Sequence, residues 1–145
     1  MKIIQYDEKY KNLLINMISE ARVAVGVSPK VRNDLYDIKR HYLDKGDMFW
    51  IVLDENDSVI GCLGYSTNLN KDEATLHRFY IKAERKRKGI GTFLLNVAEN
   101  TMKSKGIKKS IVHLGAPKEI RFESYSFYSK NSYKEYKPRY MVKDL

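Results

Sequence analysis

The feature that most constrains the fold is a basic, glycine-containing segment between a predicted strand and a predicted helix. The strand is Glu73–Ile81, which is rich in β-branched, aliphatic and aromatic residues, and the segment Arg85–Thr92 reads Arg-Lys-Arg-Lys-Gly-Ile-Gly-Thr. The helix extends from about Gly91 to Ser104, with apolar residues at helical spacing along one face. A chain with this order must leave a strand and enter a helix through a turn whose backbone is accessible.

This segment has the chemistry of a phosphate-binding loop. The first amides of a helix lack intrahelical partners and carry the positive end of the helix dipole. Gly89 and Gly91 let the backbone approach an anion closely, and the run Lys86–Lys88 adds positive charge. The sequence has no Walker motif, and Leu94 stands where a dinucleotide fingerprint has its third glycine. A tight structural turn with solvated lysines is the alternative interpretation.

The rest of the chain predicts one α/β domain over residues 1–145. Further strands are predicted at Lys2–Gln5, Met48–Leu53, Ser58–Ser66, Ser110–Leu114, Tyr133–Tyr136 and Arg139–Lys143. Further helices are predicted from the cap Asp7 to Ala24, from Asn33 to Asp44, and from Pro117 to Lys130. This order favours a mixed sheet with helices on both faces.

Positive charge is concentrated in the second half of the chain. Residues 1–81 hold 11 basic and 12 acidic residues, whereas residues 82–145 hold 16 basic and 6 acidic residues. Such a distribution favours an anionic partner: a phosphorylated cofactor, nucleic acid or an acidic membrane surface. No apolar run approaches the roughly 20 residues of a membrane span. With a single cysteine, Cys62, and a start unlike a signal peptide, we expect a cytoplasmic protein without a membrane segment.

With this loop and this order of elements, the sequence resembles the GNAT superfamily of acetyl-CoA-dependent N-acetyltransferases. The acetyl-CoA loop of the family reads Gln/Arg-x-x-Gly-x-Gly/Ala, which Lys86–Gly91 matches at both glycines and departs from at its first position. Leu76–Ile81 is similar to the fourth strand of the family, and Ile81 lies the usual eight residues before Gly89. Phe127–Tyr133 resembles the family pattern Phe-Tyr-x-Lys-x-Gly-Phe, although the glycine and the last phenylalanine are replaced.

The resemblance implies a mostly antiparallel central sheet and direct transfer of an acetyl group from acetyl-CoA to an amine. It implies that the pantetheine pairs with the backbone of one strand, that loop amides bind the pyrophosphate, and that the Ile81 N–H polarises the thioester carbonyl. The cofactor-binding residues that it implies are Phe79, Tyr80, Ile81, Lys86, Arg87, Lys88, Gly89, Ile90, Gly91 and Thr92. No metal is expected, because the three histidines and Cys62 show no ligand spacing.

The candidate catalytic residues are Tyr128, Glu73 and His77. An alkyl ammonium, with a pKa of about 10.4, must lose a proton before it attacks, and Glu73 and His77 are candidate bases. Strict alternation predicts that every second residue from 73 to 81 shares one face of the strand. The resemblance implies that Tyr128 is the acid that protonates the CoA thiolate. The alternatives are a hydrogen-bonded strand histidine, a solvated glutamate and a packed tyrosine.

Several acceptors and two other functions stay open at this point. Asp34 and Asp37 lie in the less basic half and either attract a cationic amine or belong to a solvated helix face. The acceptor is either a small molecule or a protein. The first alternative function is a nucleic-acid module, but the sequence shows no helix-turn-helix, RNP-like or zinc-finger signature, so nucleic acid is the less favoured partner. The second is a CoA-binding sensor without catalysis. A monomer and a homodimer are both compatible with the sequence.

Overall fold

A single mixed sheet organises the part of the chain that the computed structural model describes, residues 1–70, 72–115 and 122–145. Its strands are β1 Lys2–Gln5, β2 Met48–Leu53, β3 Val59–Thr67, β4 Glu73–Ile81, β5 Lys109–His113, β6 Lys134–Lys137 and β7 Tyr140–Asp144. They lie in the order β1-β2-β3-β4-β5-β7-β6, and β4 and β5 pair in parallel whereas the other neighbouring pairs are antiparallel. The predicted mixed, mostly antiparallel α/β sheet is confirmed.

Helices cover both faces of this sheet. They are α1 Lys11–Ala24, α2 Ile38–His41, α3 Ile90–Ser104 and α4 Phe122–Lys130. On one face, Leu14 and Ile18 of α1 share a core cluster with Phe49 of β2, and on the other face Leu94 of α3 shares a second cluster with Trp50. Because β2 is buried on both faces, it is a continuous apolar run. None of the helices in the described ranges is long and apolar enough to cross a membrane.

The single helix predicted from Asn33 to Asp44 is wrong. The chain forms instead a 3-10 turn, the short helix α2 and a second 3-10 turn, over Asn33–Tyr36, Ile38–His41 and Leu43–Lys45. Asp37 interrupts the helix with φ −148° and ψ 65°, and its side chain accepts a hydrogen bond from the Arg40 amide at 3.4 Å. A short acidic side chain that bonds its own neighbouring backbone competes with helix continuation. Pro117, the predicted start of the last helix, lies outside the described residues.

A β-bulge in β4 changes which side chains share a face. Arg78 has φ +55°, and the pairing register between β3 and β4 shifts beside it. Leu76 and Phe79 both pack against the α3 core, whereas the His77 ring lies 6.4 Å from the ring of Tyr42 in the α1 core. The prediction that every second residue from 73 to 81 shares one face is therefore wrong, because the bulge inserts an extra residue.

Strands β4 and β5 separate after a short stretch of pairing. Their parallel ladder joins Glu73–Thr75 of β4 to Lys109–Ile111 of β5. Beyond it, the described residues of β5 pair with β7 and not with β4. From Leu76 to Ile81, the edge of β4 that faces β5 is thus not paired with any described strand, and unpaired edge amides and carbonyls are available to a ligand.

Candidate active site

A cleft of about 710 Å³ opens where β4 and β5 separate. The end of α1, the second half of β4, the basic turn before α3, and α4 form its walls. Eight of the ten residues predicted to bind the cofactor line it, namely Phe79, Tyr80, Ile81, Lys86, Arg87, Gly89, Gly91 and Thr92. His77 and Tyr128 line it as well. Lys88 is exposed outside the lining, and the Ile90 side chain is buried in the α3 core, so only its backbone remains available to a ligand.

The basic turn presents backbone amides at the start of α3. Gly89 is the N-cap residue with φ +82°, a conformation that favours glycine, and no side chain in the described ranges makes a capping hydrogen bond at this end of the helix. The Phe93 amide donates to the Gly89 carbonyl at 3.0 Å and is the first to bond back along the helix. The three amides before it, from Ile90 to Thr92, therefore have no intrahelical carbonyl and can bind an anion.

Side chains around this turn leave it with a net positive charge. The Arg85 guanidinium pairs with Asp54 at 3.1 Å, and the Lys86 ammonium lies 3.6 Å from the Glu123 carboxylate. Arg87 forms no ion pair with a described residue, and Lys88 extends the basic run beside it. Because the Glu123 carboxylate is exposed, its pair with Lys86 is weak and screened by salt, so an anion can compete for Lys86, whereas the buried Asp54 carboxylate keeps Arg85 paired.

Tyr128 of α4 stands buried in the wall of the cleft. Its ring contacts those of Phe79, Phe127 and Tyr133, at centroid distances of 6.3, 5.3 and 5.4 Å. Its hydroxyl makes no hydrogen bond within the described ranges. Burial raises the pKa of Tyr128 above the ordinary value of a phenol, so the side chain carries its proton at neutral pH. A tyrosine that lines a cleft and keeps its proton is a candidate general acid.

A buried polar network fixes the neighbour of Tyr128. The Tyr133 hydroxyl donates to the Glu99 carboxylate at 2.9 Å and lies 2.7 Å from the Ser110 hydroxyl. The Lys143 ammonium donates to the other Glu99 oxygen at 2.8 Å. The network joins α3, β5 and β7 and holds the Tyr133 ring against Tyr128. Sequence reasoning missed it, although a glutamate on the apolar face of α3 was the available signal.

His77 faces the cleft from the α1 side of β4. Its Nε2 atom lies 2.8 Å from the Ser66 hydroxyl. Burial, together with the charge of Arg78, lowers the pKa of His77 below its ordinary value. The imidazole is therefore neutral at physiological pH and can accept a proton.

Glu73 and Cys62 do not line the cleft. Glu73 starts β4, its carboxylate accepts a hydrogen bond from the side-chain amide of Asn68 at 3.3 Å, and it is not a lining residue. Four residues separate it from His77, or about 13 Å along a strand. Cys62 is buried and donates to the Arg78 carbonyl at 3.1 Å, and burial raises the pKa of its thiol. The structure brings neither side chain to the cleft.

The two acidic residues considered for the acceptor are both engaged by arginines. Asp34 accepts from Arg78 Nη2 at 3.1 Å and Nε at 3.2 Å, and from the Tyr42 hydroxyl at 2.6 Å. Burial opposes ionisation of Asp34, but these hydrogen bonds outweigh it and lower the pKa. Asp37 caps α2 and lies 3.3 Å from Arg40. Neither carboxylate presents an uncompensated negative charge to an amine.

The sequence model of the Acetyltransferase (GNAT) family matches residues 15–133, most of the chain. The chain belongs to the GNAT acetyltransferase family. No curated protein matches the sequence significantly. Within the described ranges, no group of three or more His, Cys, Asp or Glu side chains could hold a metal ion.

Solved GNAT structures share the fold along its whole length. A GNAT acetyltransferase from Staphylococcus aureus Mu50 is 23% identical with a TM-score of 0.88, covering 99% of this chain and 98% of that one. The PaiA N-acetyltransferase from Thermoplasma acidophilum, solved with coenzyme A, is 22% identical with a TM-score of 0.72 and covers 100% of both chains. A phosphinothricin acetyltransferase from Sinorhizobium meliloti, solved with AcCoA, is 14% identical with a TM-score of 0.78, covering 99% and 88%. At these identities the likeness is one of fold.

Proposed function

We propose that this GNAT protein is an N-acetyltransferase that transfers an acetyl group from acetyl-CoA directly to a primary amine. One observation carries the proposal: a single cleft joins the anion-binding amides of α3, the unpaired edge of β4, a neutral histidine and a buried tyrosine. These are the parts needed to hold a phosphorylated thioester and to move two protons. Acetyl-CoA, when bound, supplies the acetyl group as a thioester.

The described residues fit such a cofactor. The amides of Ile90, Gly91 and Thr92 would hold the pyrophosphate, with Arg87 and Lys88 adding charge. The open edge of β4 would bind the pantetheine amides as an added strand. The Ile81 N–H at this edge would donate to the thioester carbonyl oxygen and stabilise the oxyanion that develops there.

The bulge in β4 divides the proton transfers between the two faces of the strand. His77 lies on the α1 face and would accept the proton of the ammonium, directly or through a water molecule. Tyr128 packs against Phe79 on the α3 face and would donate its proton to the leaving thiolate. Because base and acid approach β4 from different faces, acceptor and donor would enter the cleft from different sides.

The experiment is a calorimetric titration with acetyl-CoA, with ATP, and with a short single-stranded DNA at physiological salt. We expect saturable binding of acetyl-CoA and, with an amine present, release of free CoA thiol. Salt-sensitive binding of DNA without binding of acetyl-CoA would overturn the proposal. Binding of acetyl-CoA without CoA release for any amine tested would instead indicate a CoA-binding sensor.

Two glycine variants test the loop with a matched control. Gly89 and Gly106 both have left-handed φ, +82° and +78°, and an added Cβ would meet nothing within 4 Å at either position. Alanine therefore costs a similar backbone strain at each, about 1–2 kcal/mol. Only Gly89 lies in the cleft, so Gly89→Ala should weaken acetyl-CoA binding by about tenfold or more through lost charge-assisted hydrogen bonds. Gly106→Ala should leave the Kd unchanged, and equal effects would contradict the assignment.

A further inference from the structure

Positive charge lines the cleft on the side of the proposed base as well as at the phosphate end. Arg22, near the end of α1, and Arg78 of β4 are both lining residues. Asp34 neutralises Arg78 through two hydrogen bonds. Arg22 forms no ion pair with any described residue. Among the lining residues, Glu123 is the one carboxylate within the described ranges, and it pairs with Lys86 at the phosphate end.

The Arg22 guanidinium is held in a defined position. Its Nε atom donates to the Ser28 carbonyl at 2.8 Å, and its Nη1 atom donates to the Tyr80 hydroxyl at 3.4 Å. The side chain is half-buried. A guanidinium carries five N–H donors in a rigid fork, so donors remain after these two bonds. A half-buried cation that lacks a counter-charge favours binding of an anion.

The position of Arg22 separates it from the phosphate-binding turn. Tyr80 packs against the α1 core, on the face of β4 that also carries His77. The amides proposed to bind the pyrophosphate lie at the start of α3. The CoA thiolate would lie near Tyr128, which packs against Phe79 on the other face of β4. An anion at Arg22 would therefore belong to the molecule that approaches His77, which is the acceptor.

We propose that Arg22 binds an oxyanion on the acceptor, so that the substrate is an amine that also carries a carboxylate or phosphonate, such as an α-amino acid. This inference rests on the proposed N-acetyltransferase function. A guanidinium binds carboxylate and phosphonate oxygens in the same bidentate way. Polycationic acceptors are disfavoured, because they would meet Arg22 and find Asp34 and Asp37 already paired. The apolar lining residues Val25 and Val27 would contact the remainder of the acceptor.

Matched pairs of amines test the substrate class. Phenylalanine and phenethylamine, lysine and cadaverine, and aminoethylphosphonate and ethylamine differ chiefly in the oxyanion. With acetyl-CoA saturating, CoA release should show kcat/KM at least about tenfold higher for the oxyanion member of each pair, which corresponds to one charged hydrogen bond. Spermidine and an aminoglycoside should be poor acceptors. Equal or better use of the amines without an oxyanion, or of the polycations, would overturn the inference.

Variants of Arg22 test whether this residue binds the oxyanion of the acceptor. Arg22→Gln should raise KM for the preferred oxyanion amine by about 10- to 100-fold, with little change in kcat or in KM for acetyl-CoA. Arg22→Lys keeps the charge but loses the fork, so it should recover part of this loss. Arg32→Gln is the control, because Arg32 is exposed and is not among the lining residues. It should match the wild type, and thermal unfolding of each variant shows that the fold is retained.

The outcomes distinguish this inference from the proposed function. Absence of acetyl-CoA binding overturns the proposed function itself. If acetyl-CoA binds and Arg22→Gln raises its KM or Kd instead, Arg22 contacts the cofactor and the inference is wrong. If no amine turns over, calorimetry of the CoA-bound protein with the phenylalanine pair replaces the assay. Failure to bind phenylalanine more tightly than phenethylamine then overturns the inference.

Discussion

Replacing Tyr128 with phenylalanine removes one hydroxyl from the cleft and leaves the core contacts in place. The ring packs against Phe79, Phe127 and Tyr133, and phenylalanine keeps these contacts. The hydroxyl forms no hydrogen bond within the described ranges, so its removal leaves no described polar group without a partner. We therefore expect the free energy of unfolding to stay within about 0.5 kcal/mol of the wild-type value.

The expected loss is in catalysis. A positioned general acid contributes about 10²- to 10⁴-fold, which is about 3–5 kcal/mol of the activation barrier. A phenol with a pKa of about 10 gives its proton to a thiolate of about 8.5 at a cost of roughly 2 kcal/mol. Burial raises the pKa of Tyr128 and adds to this cost, so the transfer requires that the CoA thiolate be desolvated beside the hydroxyl, which raises the pKa of the thiol in the same direction. We expect kcat to fall at least about 100-fold.

The assay follows the CoA thiol at saturating acetyl-CoA and acceptor, with the Kd of acetyl-CoA measured by calorimetry. Tyr133→Phe is the matched control. It removes the same atom, but it takes a hydrogen bond from the buried Ser110 hydroxyl and from one oxygen of Glu99, whose other oxygen stays bonded to Lys143, at a cost of about 1–3 kcal/mol in stability. Its Tm should fall by several degrees while kcat stays within a few-fold of the wild type. Tyr128→Phe should show the reverse: reduced kcat, unchanged Tm and unchanged Kd.

The opposite result would refute this reasoning. If Tyr128→Phe keeps kcat within about threefold of wild type, a water molecule supplies the proton and Tyr128 is a packing residue. If Tyr133→Phe loses as much kcat as Tyr128→Phe, the two hydroxyls act as one unit and the acid cannot be assigned to Tyr128 alone.

Three further changes test the base, the core and the ion pair beside the cleft. Because burial lowers the pKa of His77, the unfolded chain binds that proton at a higher pH than the folded chain. Stability should therefore begin to fall as the pH drops below 6.5, whereas kcat/KM should fall only at the lower pH at which folded His77 takes up its proton. His77→Gln should remove the His77 contribution to both the pH–rate and the denaturation profiles. An unchanged acid limb would exclude His77 as the base. Gly64→Ala places a Cβ 2.6 Å from a ring carbon of Phe49 and should reduce the free energy of unfolding, measured by urea denaturation, by about 1–3 kcal/mol. An unchanged free energy of unfolding would show that the Phe49 ring moves freely. Asp34→Asn leaves the Arg78 guanidinium without its counter-charge. Because both side chains are mostly buried, the free energy of unfolding should fall by about 1–2 kcal/mol, measured by denaturation in low and high salt. Equal stability of variant and wild type would show that solvent already screens the pair.

Some parts of the candidate site were predictable because they depend on neighbouring residues, and others were not because they depend on strand pairing. The turn around Gly89 was predictable, because a left-handed glycine and an amphipathic helix are properties of neighbouring residues. The face of β4 was not predictable, since the bulge at Arg78 depends on the pairing register with β3. A one-residue insertion reverses which face each later side chain occupies. This is why His77 and Phe79 lie on opposite faces although their spacing indicated a shared one.

Ion pairs between residues that are far apart in the sequence could not be predicted either. Arg78 binds Asp34 across 44 positions, and Lys143 binds Glu99 across 44 positions. Charge patterning indicated that Asp34 would be available to an amine, whereas the fold pairs it with an arginine. Glu73 and His77 were equivalent candidates by spacing, and the separation of β4 from β5 leaves only His77 beside the cleft.

The sequence by itself determined the strands, the glycine turn before α3 and the family, because alternation, apolar periodicity and glycine conformations act over a few residues. Only the tertiary structure decided where the cleft opens, which faces of β4 carry His77 and Phe79, and which charges remain unpaired in it. These depend on strand register and on contacts between distant segments. Arg22, which has no ion-pair partner in the described part of the chain, beside Arg78, which is paired with Asp34, is such a product of packing, and the proposed choice of acceptor depends on it.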